Sequence, residues 1–187
     1  MDVTICVGTF GHRRWIDLAH DRAIPSAVRQ GCPVIFRHET TLADARNAAL
    51  RAARTDWVVV LDADDEMDDG YVAALAAGTA DIRVPALFEV NPDGSREQIP
   101  LAHRDIEHTN PIPVSAMARR DMILSAGGFQ PWPAYEDWAL WLTLVRRGAT
   151  VEHIDAARLL AHVSPGSRNR SVTDPARLHA AIREASR

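Results

Sequence analysis

The sequence contains no lysine: all 21 of its basic residues are arginine. Without lysine, the chain cannot form a Schiff base through a side-chain amine and lacks the lysine of a P-loop. Any phosphate group must therefore be bound by arginine, by backbone N–H groups or by a metal ion. The net charge is −4, which gives no general attraction to nucleic acid or to a membrane surface.

Cysteine is also scarce, and long apolar runs are missing. Cys6 and Cys32 are the only cysteines, too few for a disulfide framework or a four-thiolate zinc site, and we predict buried free thiols. No run approaches the roughly 18 apolar residues of a membrane span. The first residues do not have the pattern of a signal peptide. We therefore expect a protein of the reducing cytoplasm with no membrane span.

Strands and helices alternate along the first half of the 187-residue chain. The predicted elements there are strands at 3–7, 33–37 and 57–61 and helices at 13–30 and 42–54, with Pro25 breaking or kinking the first helix. This alternation predicts βαβ units and a parallel sheet. No linker or repeat divides the chain, so we predict one domain.

The second half is predicted to continue with strands at 82–90, 114–118, 150–154 and 158–162, helices at 67–77, 120–126, 136–147 and 175–185, and loops at 95–112 and 164–170.

A cluster of acidic residues follows the apolar strand Trp57–Leu61, in the order Asp62-Ala63-Asp64-Asp65-Glu66. Unpaired carboxylates are too costly to bury, and ligands of open α/β sheets bind outside the carboxyl ends of the strands. One interpretation is a solvated loop and helix start, which suits Asp68 and Asp69. The other is an oxygen-ligand site for Mg²⁺ or Mn²⁺ that serves a diphosphate substrate.

Three stretches together resemble the inverting nucleotide-sugar glycosyltransferases of family 2, which have the GT-A fold. They are Gly8-Thr9-Phe10 after the first strand, Ala45-Arg46-Asn47-Ala48-Ala49-Leu50 followed by Leu61-Asp62-Ala63-Asp64-Asp65, and Gly127-Gly128-Phe129 eight residues before Glu136-Asp137-Trp138-Ala139-Leu140-Trp141-Leu142. Their order and spacing agree with that family over most of residues 3–163. Small enzymes of this type also occur in bacteriophages, and the compact chain fits such a member.

The resemblance implies an α/β fold, a Rossmann-like GT-A domain over residues 1–187 with a central, mostly parallel sheet flanked by helices. Residues 1–90 would form the nucleotide-sugar-binding half and residues 91–170 the acceptor and catalytic half, with a C-terminal helix in 171–187. The implied activity is a metal-dependent, inverting hexosyl transfer from a nucleoside-diphosphate sugar. A UDP-sugar is favoured as donor and a GDP-sugar is the alternative.

On the donor side, the resemblance makes Asp64 the ligand of a Mn²⁺ or Mg²⁺ ion that bridges the diphosphate. Asp62 would hydrogen-bond the ribose or the sugar, and Thr9 and Phe10 would lie against the base. Arg46 would approach the base or the ribose; a surface salt bridge to Asp44 or Asp56 is the alternative.

On the acceptor side, the resemblance makes Asp137 the general base. Inverting transfer needs one carboxylate that removes the proton of the acceptor hydroxyl; capping of the helix is the alternative for Asp137. Glu136 would orient the acceptor or the helix. Trp132 would stack on a sugar or pack in the core.

Three residues near the C-terminus complete the predicted site. The resemblance makes His162 a second metal ligand, whereas a surface position at the end of a strand is the alternative. Arg168 and Arg170 lie in a polar loop and are candidate clamps for the diphosphate.

The sequence departs from the family pattern in two places. Gly8 stands where a proline is common before Thr9. The strand 33–37 leads almost directly into the Arg46 helix, so a strand and a helix of the family are missing, and Glu39 is left as the candidate acid for reading the base.

Two other functions remain open at this point. A nucleotidyltransferase shares the carboxylates and the metal but usually has a Gly-rich basic loop, which residues 8–14 resemble only faintly. A non-catalytic nucleotide- or glycan-binding module would not need the full set of carboxylates. The acceptor and a homo-oligomeric state are left open by the sequence.

Overall fold

In the computed structural model, which describes residues 1–163 and 172–186, the described residues form one eight-stranded sheet. Its strands are β1 (Val3–Phe10), β2 (Val34–Glu39), β3 (Trp57–Leu61), β4 (Asp65–Met67), β5 (Ile82–Val90), β6 (Arg96–Ile99), β7 (Met117–Arg119) and β8 (Val151–His162). The helices are α1 (Arg14–Leu18), α2 (Ile24–Val28), α3 (Leu42–Ala52), α4 (Tyr71–Ala76), α5 (Arg120–Ser125), α6 (Glu136–Arg146) and α7 (Pro175–Ala185), with a π-helical segment, Ala19–Ala23, between α1 and α2.

The strand order is β2-β1-β3-β7-β5-β8-β4, with β6 paired to β5. The longer ladders are parallel: β1 pairs with β2 and β3, and β5 pairs with β8. The shorter ladders, which involve β7, β4 and β6, are antiparallel. The predicted α/β fold with a mostly parallel central sheet is therefore confirmed.

Helices cover both faces of the sheet. Every residue of β3 is buried, as expected for a strand that is covered on both sides. Because side chains alternate along a strand, Cys6 and Val58 pack against α3, α5 and α6. Their neighbours Ile5 and Val59 pack against the π-helical segment and α4 on the opposite face.

Several predicted boundaries differ from the observed ones for reasons of strand pairing. The helix predicted from residue 67 begins at Tyr71, because Asp65–Met67 pairs with β8. The loop predicted over 95–112 contains β6, which pairs with β5. The two strands predicted at 150–154 and 158–162 are one strand, β8, with an irregularity in its pairing to β5 opposite Pro85 and Ala86.

The two cysteines differ in their surroundings. Cys6 is buried in β1, and this burial raises the pKa of its thiol to about 12. Cys32 is only half-buried, so the prediction of a buried thiol was wrong for this residue. Among the helices of the described residues, none combines the length and the apolar character that a membrane span requires.

Candidate active site

The carboxyl ends of β1, β2 and β3 meet at one edge of the sheet, as parallel strands require. Phe10 lies opposite Glu39 in the β1–β2 ladder. Thr9 lies opposite His38, and the Thr9 hydroxyl and His38 Nδ1 are 2.9 Å apart in a hydrogen bond. Asp62 follows β3 at the same edge. Thr9, Phe10, Glu39 and Asp62 thus share one edge of the sheet.

Arg46 connects this edge to α6. Its side chain is 3% exposed and donates from Nη2 to Asp62 Oδ1 at 2.5 Å and from Nη1 to Glu136 Oε1 at 2.7 Å. These two carboxylates, opposing the effect of burial, raise the pKa of the guanidinium above its usual value. The alternative prediction for Arg46, a surface salt bridge to Asp44 or Asp56, was wrong. A contact of Arg46 with the base or the ribose stays a prediction.

Gly8 permits this placement of Arg46. A Cβ atom at residue 8 would lie 3.2 Å from the backbone nitrogen of Arg46 and 3.3 Å from the Cβ of Ala45. The missing side chain therefore lets α3 pack closely against β1. The departure from the family pattern at Gly8 has a structural reason in this contact.

Asn47, the next residue of α3, holds the segment that leads to α6. Its Nδ2 donates to the Phe129 carbonyl at 2.8 Å, and its Oδ1 accepts from the Phe129 N–H at 2.9 Å. Gly128 has a φ of 68°, and a Cβ atom there would collide with the Asn47 amide. A glycine is therefore required at position 128, both for the positive φ and because the Asn47 amide occupies the space of a Cβ atom.

Gly128→Ala should destabilise the protein more than Gly94→Ala does. Both residues have positive φ, which costs an L-residue about 1–2 kcal/mol, but nothing lies within 4 Å of a Cβ at Gly94. The collision with Asn47 should add about 1–3 kcal/mol for Gly128→Ala. Urea unfolding of both variants measures the difference, and equal losses would contradict the close contact.

Asp137 is the second residue of α6, and the residue at the N-cap position is Tyr135. Tyr135 has φ 58° and ψ 27°, the only positive φ of a non-glycine residue among the described ones. Such conformations are costly and are often found at functional sites. Asp137 is half-buried, and its Oδ2 accepts a hydrogen bond from Asn110 Nδ2 at 2.9 Å.

Burial raises the pKa of Asp137 to about 6, and the neighbouring charge of Glu136 adds to this effect. Asp62 contributes weakly in the same direction. Arg46 and the backbone N–H of Trp138 favour the charged carboxylate and limit the rise. Asp137 thus titrates close to neutral pH, where a general base is most effective.

Asp64 lies in a turn of the acidic stretch, closed by a hydrogen bond from the Asp65 N–H to the Asp62 carbonyl at 3.2 Å. Arg22 of the π-helical segment donates from Nη1 to the Asp64 carbonyl at 2.9 Å. Burial and the charge of Asp62 raise the pKa of Asp64. The pKa of Asp65 is raised further, by burial and then by Asp64 and Asp62. The turn therefore concentrates negative charge.

His162 ends β8 next to Ala161, which pairs with Asp65. Its Nε2 is 2.9 Å from Glu66 Oε1. Within residues 1–163 and 172–186, no three His, Cys, Asp or Glu side chains form a group that could hold a metal ion. Arg168 and Arg170, the predicted clamps, lie outside the described residues.

Trp132 and Glu136, the two residues predicted to bind the acceptor, both contact the interior of the protein. Trp132 is partly buried and packs on the cluster formed by Trp138, Leu142 and Ile182. Glu136 is 3% exposed and binds Arg46. The binding of an acceptor by these two residues stays a prediction.

Arg22 and Asn110 were not predicted from the sequence as residues that contact the site. Asn110 precedes a proline, a pattern that indicates a turn but gives no partner. Arg22 lies in a helical stretch with no distinguishing pattern. Both residues bind parts of the site that are 27 or more positions away in the sequence, and no local signal could have identified them.

Comparisons with known proteins address the family and the fold of the chain. The model of glycosyl transferase family 2 matches residues 22–121, whereas a comparison with curated protein sequences gives no match. Residues 1–349 of S. aureus TarS in complex with UDP-GlcNAc superpose with a TM-score of 0.69 at 14% identity, over 93% of this chain and 62% of that one. The UDP complex of the same fragment gives 0.66 at 16% identity, over 97% and 65%.

GalNAc-T7, solved with UDP, GalNAc and Mn²⁺, gives a TM-score of 0.57 at 13% identity, over 87% of this chain and 44% of that one. The chain thus spans less than two thirds of the length of each of these structures. At such low identity the likeness shows a shared fold, the GT-A fold. Because the family model covers more than half of its length, the chain belongs to glycosyl transferase family 2.

Proposed function

We propose that the protein transfers a sugar from a nucleoside-diphosphate sugar to an acceptor hydroxyl, with inversion at the anomeric carbon and with a divalent metal ion. The observation that carries this proposal is the shared guanidinium of Arg46. It binds Asp62, at the sheet edge proposed for the donor, and Glu136, the neighbour of the candidate base Asp137. One buried side chain thus fixes the donor and acceptor sides relative to each other.

Asp137 acts as the general base in this proposal. The acceptor oxygen attacks the anomeric carbon, the bond from that carbon to the diphosphate breaks, and the hydroxyl proton passes to the Asp137 carboxylate. The nucleoside diphosphate leaves with the bonding electrons. A pKa of about 6 keeps Asp137 ionised at neutral pH yet more basic than an ordinary aspartate.

The donor would bind where Thr9, Phe10 and Glu39 meet at the ends of β1 and β2, with Asp62 directed to the ribose or the sugar. A UDP-sugar is the favoured donor. The TarS structures contain UDP-GlcNAc or UDP, and the GalNAc-T7 structure contains UDP. These relatives share the fold of this chain, and the binding of UDP by this chain is inferred from them.

The residues at the acidic turn fit a Mg²⁺ or Mn²⁺ ion that binds together with the diphosphate. Such ions are commonly held by one or two carboxylates plus substrate phosphates, so a ready-made group of three protein ligands is not required. Asp64 would supply the carboxylate. His162, whose Nε2 lies 2.9 Å from Glu66 Oε1, would offer its other ring nitrogen, because a ligating histidine commonly bonds a carboxylate through one nitrogen and the metal through the other. When bound, the ion would stabilise charge on the leaving diphosphate.

Asp64→Ala should abolish the Mn²⁺-dependent part of UDP binding, since the ion loses its carboxylate ligand. His162→Ala should weaken that part less. Calorimetric titration with UDP, in Mn²⁺ and in EDTA, measures both effects. Asp68→Ala removes a charge from the same acidic stretch and is the matched control. Equal UDP affinity of the wild-type protein in Mn²⁺ and in EDTA would refute the metal proposal.

The transfer itself is tested by the release of UDP from UDP-GlcNAc, with water in place of the unidentified acceptor. Other UDP-sugars and GDP-sugars are compared in the same assay. Release of UDP that depends on Asp137 supports the proposed function. Tight binding of UDP with no release from any of these donors would instead indicate a nucleotide-binding module.

A further inference from the structure

Asn110 has a second hydrogen bond that fixes the orientation of its side chain. Its Oδ1 accepts from the backbone N–H of Ile112 at 3.1 Å, and its Nδ2 donates to Asp137 Oδ2 at 2.9 Å. The reversed amide would place an oxygen against the carboxylate and an NH₂ group against an N–H. Both contacts would be repulsive, so the amide nitrogen must face Asp137.

The backbone around Asn110 is anchored independently of this contact. Pro111 and Ile112 are buried, and Ile112 belongs to the core cluster beneath α6. The indole Nε1 of Trp138 also donates to the Ile106 carbonyl at 2.8 Å, which ties the same loop to α6. The bond between Asn110 and Asp137 is therefore not needed to hold the loop in place.

We propose that Asn110 is a positioning residue for the general base: it binds one carboxylate oxygen of Asp137 and leaves the other oxygen for the acceptor hydroxyl. This inference rests on the proposed function. The amide is a donor that does not titrate, so it stabilises the ionised carboxylate without competing for the proton. Such a contact fixes the rotation of the carboxylate and keeps it charged.

Other groups near Asp137 also affect the ionisation of its carboxyl group. Glu136 on α6 and Asp62 after β3 disfavour the charged carboxylate. Arg46 on α3 and the Trp138 N–H on α6 favour it. Asn110 adds a donor from the loop before β7.

Asn110→Asp is the sharpest test, because it changes one NH₂ group into an oxygen of nearly the same size. The bond to the Ile112 N–H is preserved, and two carboxylates then face each other and share a proton. The acidic limb of the pH–rate profile for UDP release from UDP-GlcNAc should move up by at least one pH unit. Asn110→Ala should move it up by less.

The rate at pH 6 should fall about fivefold when the pKa of Asp137 rises from about 6 by one unit, because fewer molecules then carry the ionised carboxylate, and the deficit at pH 9 should be smaller. Affinity for UDP should not change. Asn91→Asp makes the same chemical change in an exposed turn, where the Asn91 side chain donates to the Ser95 hydroxyl, and should leave the profile unchanged.

Carbon-13 NMR of the Asp137 carboxyl, assigned with Asp137→Asn, follows its titration whether or not the protein turns over. An unchanged Asp137 titration and an unchanged pH–rate profile in Asn110→Asp would overturn the proposal. If the NMR titration shifts but Asp137→Asn releases UDP at the wild-type rate, the proposed function fails, and with it the role of Asn110 in positioning a base. Shifts in both measurements support both proposals.

Discussion

Replacing Asp137 with asparagine should lower the rate of sugar transfer by about 10²–10⁴-fold, the usual contribution of a general base. The asparagine keeps the shape of the side chain but cannot accept the proton of the acceptor hydroxyl. Affinity for UDP should be unchanged, because the base faces the acceptor and not the diphosphate. Transfer or UDP release at nearly the wild-type rate would eliminate Asp137 as the base and direct attention to Glu136.

The same substitution should raise the melting temperature at pH 8. The pKa of Asp137 is raised from 3.8 to about 6 by folding, so the folded protein binds this proton more tightly than the unfolded chain does. The carboxylate therefore lowers the free energy of unfolding progressively as the pH rises from about 4 to 6, and fully above that range. The gain from Asp137→Asn should vanish at pH 4.

A control for which the melting temperature should change in the opposite direction is available in an exposed turn. Hydrogen bonds from Ser95 lower the pKa of Asp93, so Asp93→Asn should reduce the melting temperature at pH 8. A loss of stability at pH 8 in Asp137→Asn as well would show that the Asp137 carboxylate supports the fold.

The second large effect is expected at Arg46. Arg46→Met removes the partner of two carboxylates, one of them buried, and breaking a buried ion pair typically costs about 3–5 kcal/mol. Urea unfolding at pH 8 measures the loss.

Two further variants separate charge from geometry at this position. Arg46→Lys should be intermediate, because one ammonium cannot span Asp62 and Glu136 as the planar guanidinium does. Arg13→Met, at an exposed ion pair with Asp17, should have little effect. A loss below about 1 kcal/mol for Arg46→Met, against the 3–5 kcal/mol typical of such a pair, would contradict its central role.

Local sequence signals predicted the fold where local interactions decide it. The apolar run of β3 and the helix α3 could both be identified from the sequence. The N-cap of α3, which the sequence left open between Thr40 and Thr41, is Thr41, whose hydroxyl accepts from the Asp44 N–H. β4 and β6 could not, because each is a short polar segment that becomes a strand only by pairing with β8 or β5. Tertiary pairing decided these two elements.

In the candidate site, too, local features could be predicted from the sequence and distant contacts could not. Asp62 and Asp64 were predicted as site residues because they follow a strand that is evident from its composition. The partners of Arg46 were sought nearby, at Asp44 or Asp56, whereas one of the actual partners, Glu136, is 90 positions away. The role of Asn110 depends on a loop conformation set by buried Pro111 and Ile112, which no periodic pattern indicates.

The adjacent pair Arg46 and Asn47 has a consequence for the order of folding. Their bonds to Glu136 and Phe129 join positions 90 and 82 residues apart, and closing such long loops costs chain entropy before the contacts form. The β1–α3–β3 unit uses much shorter separations and can assemble first, since nearby contacts form faster than distant ones. Recovery of activity during refolding should therefore follow the slowest kinetic phase, after most of the circular-dichroism signal has returned.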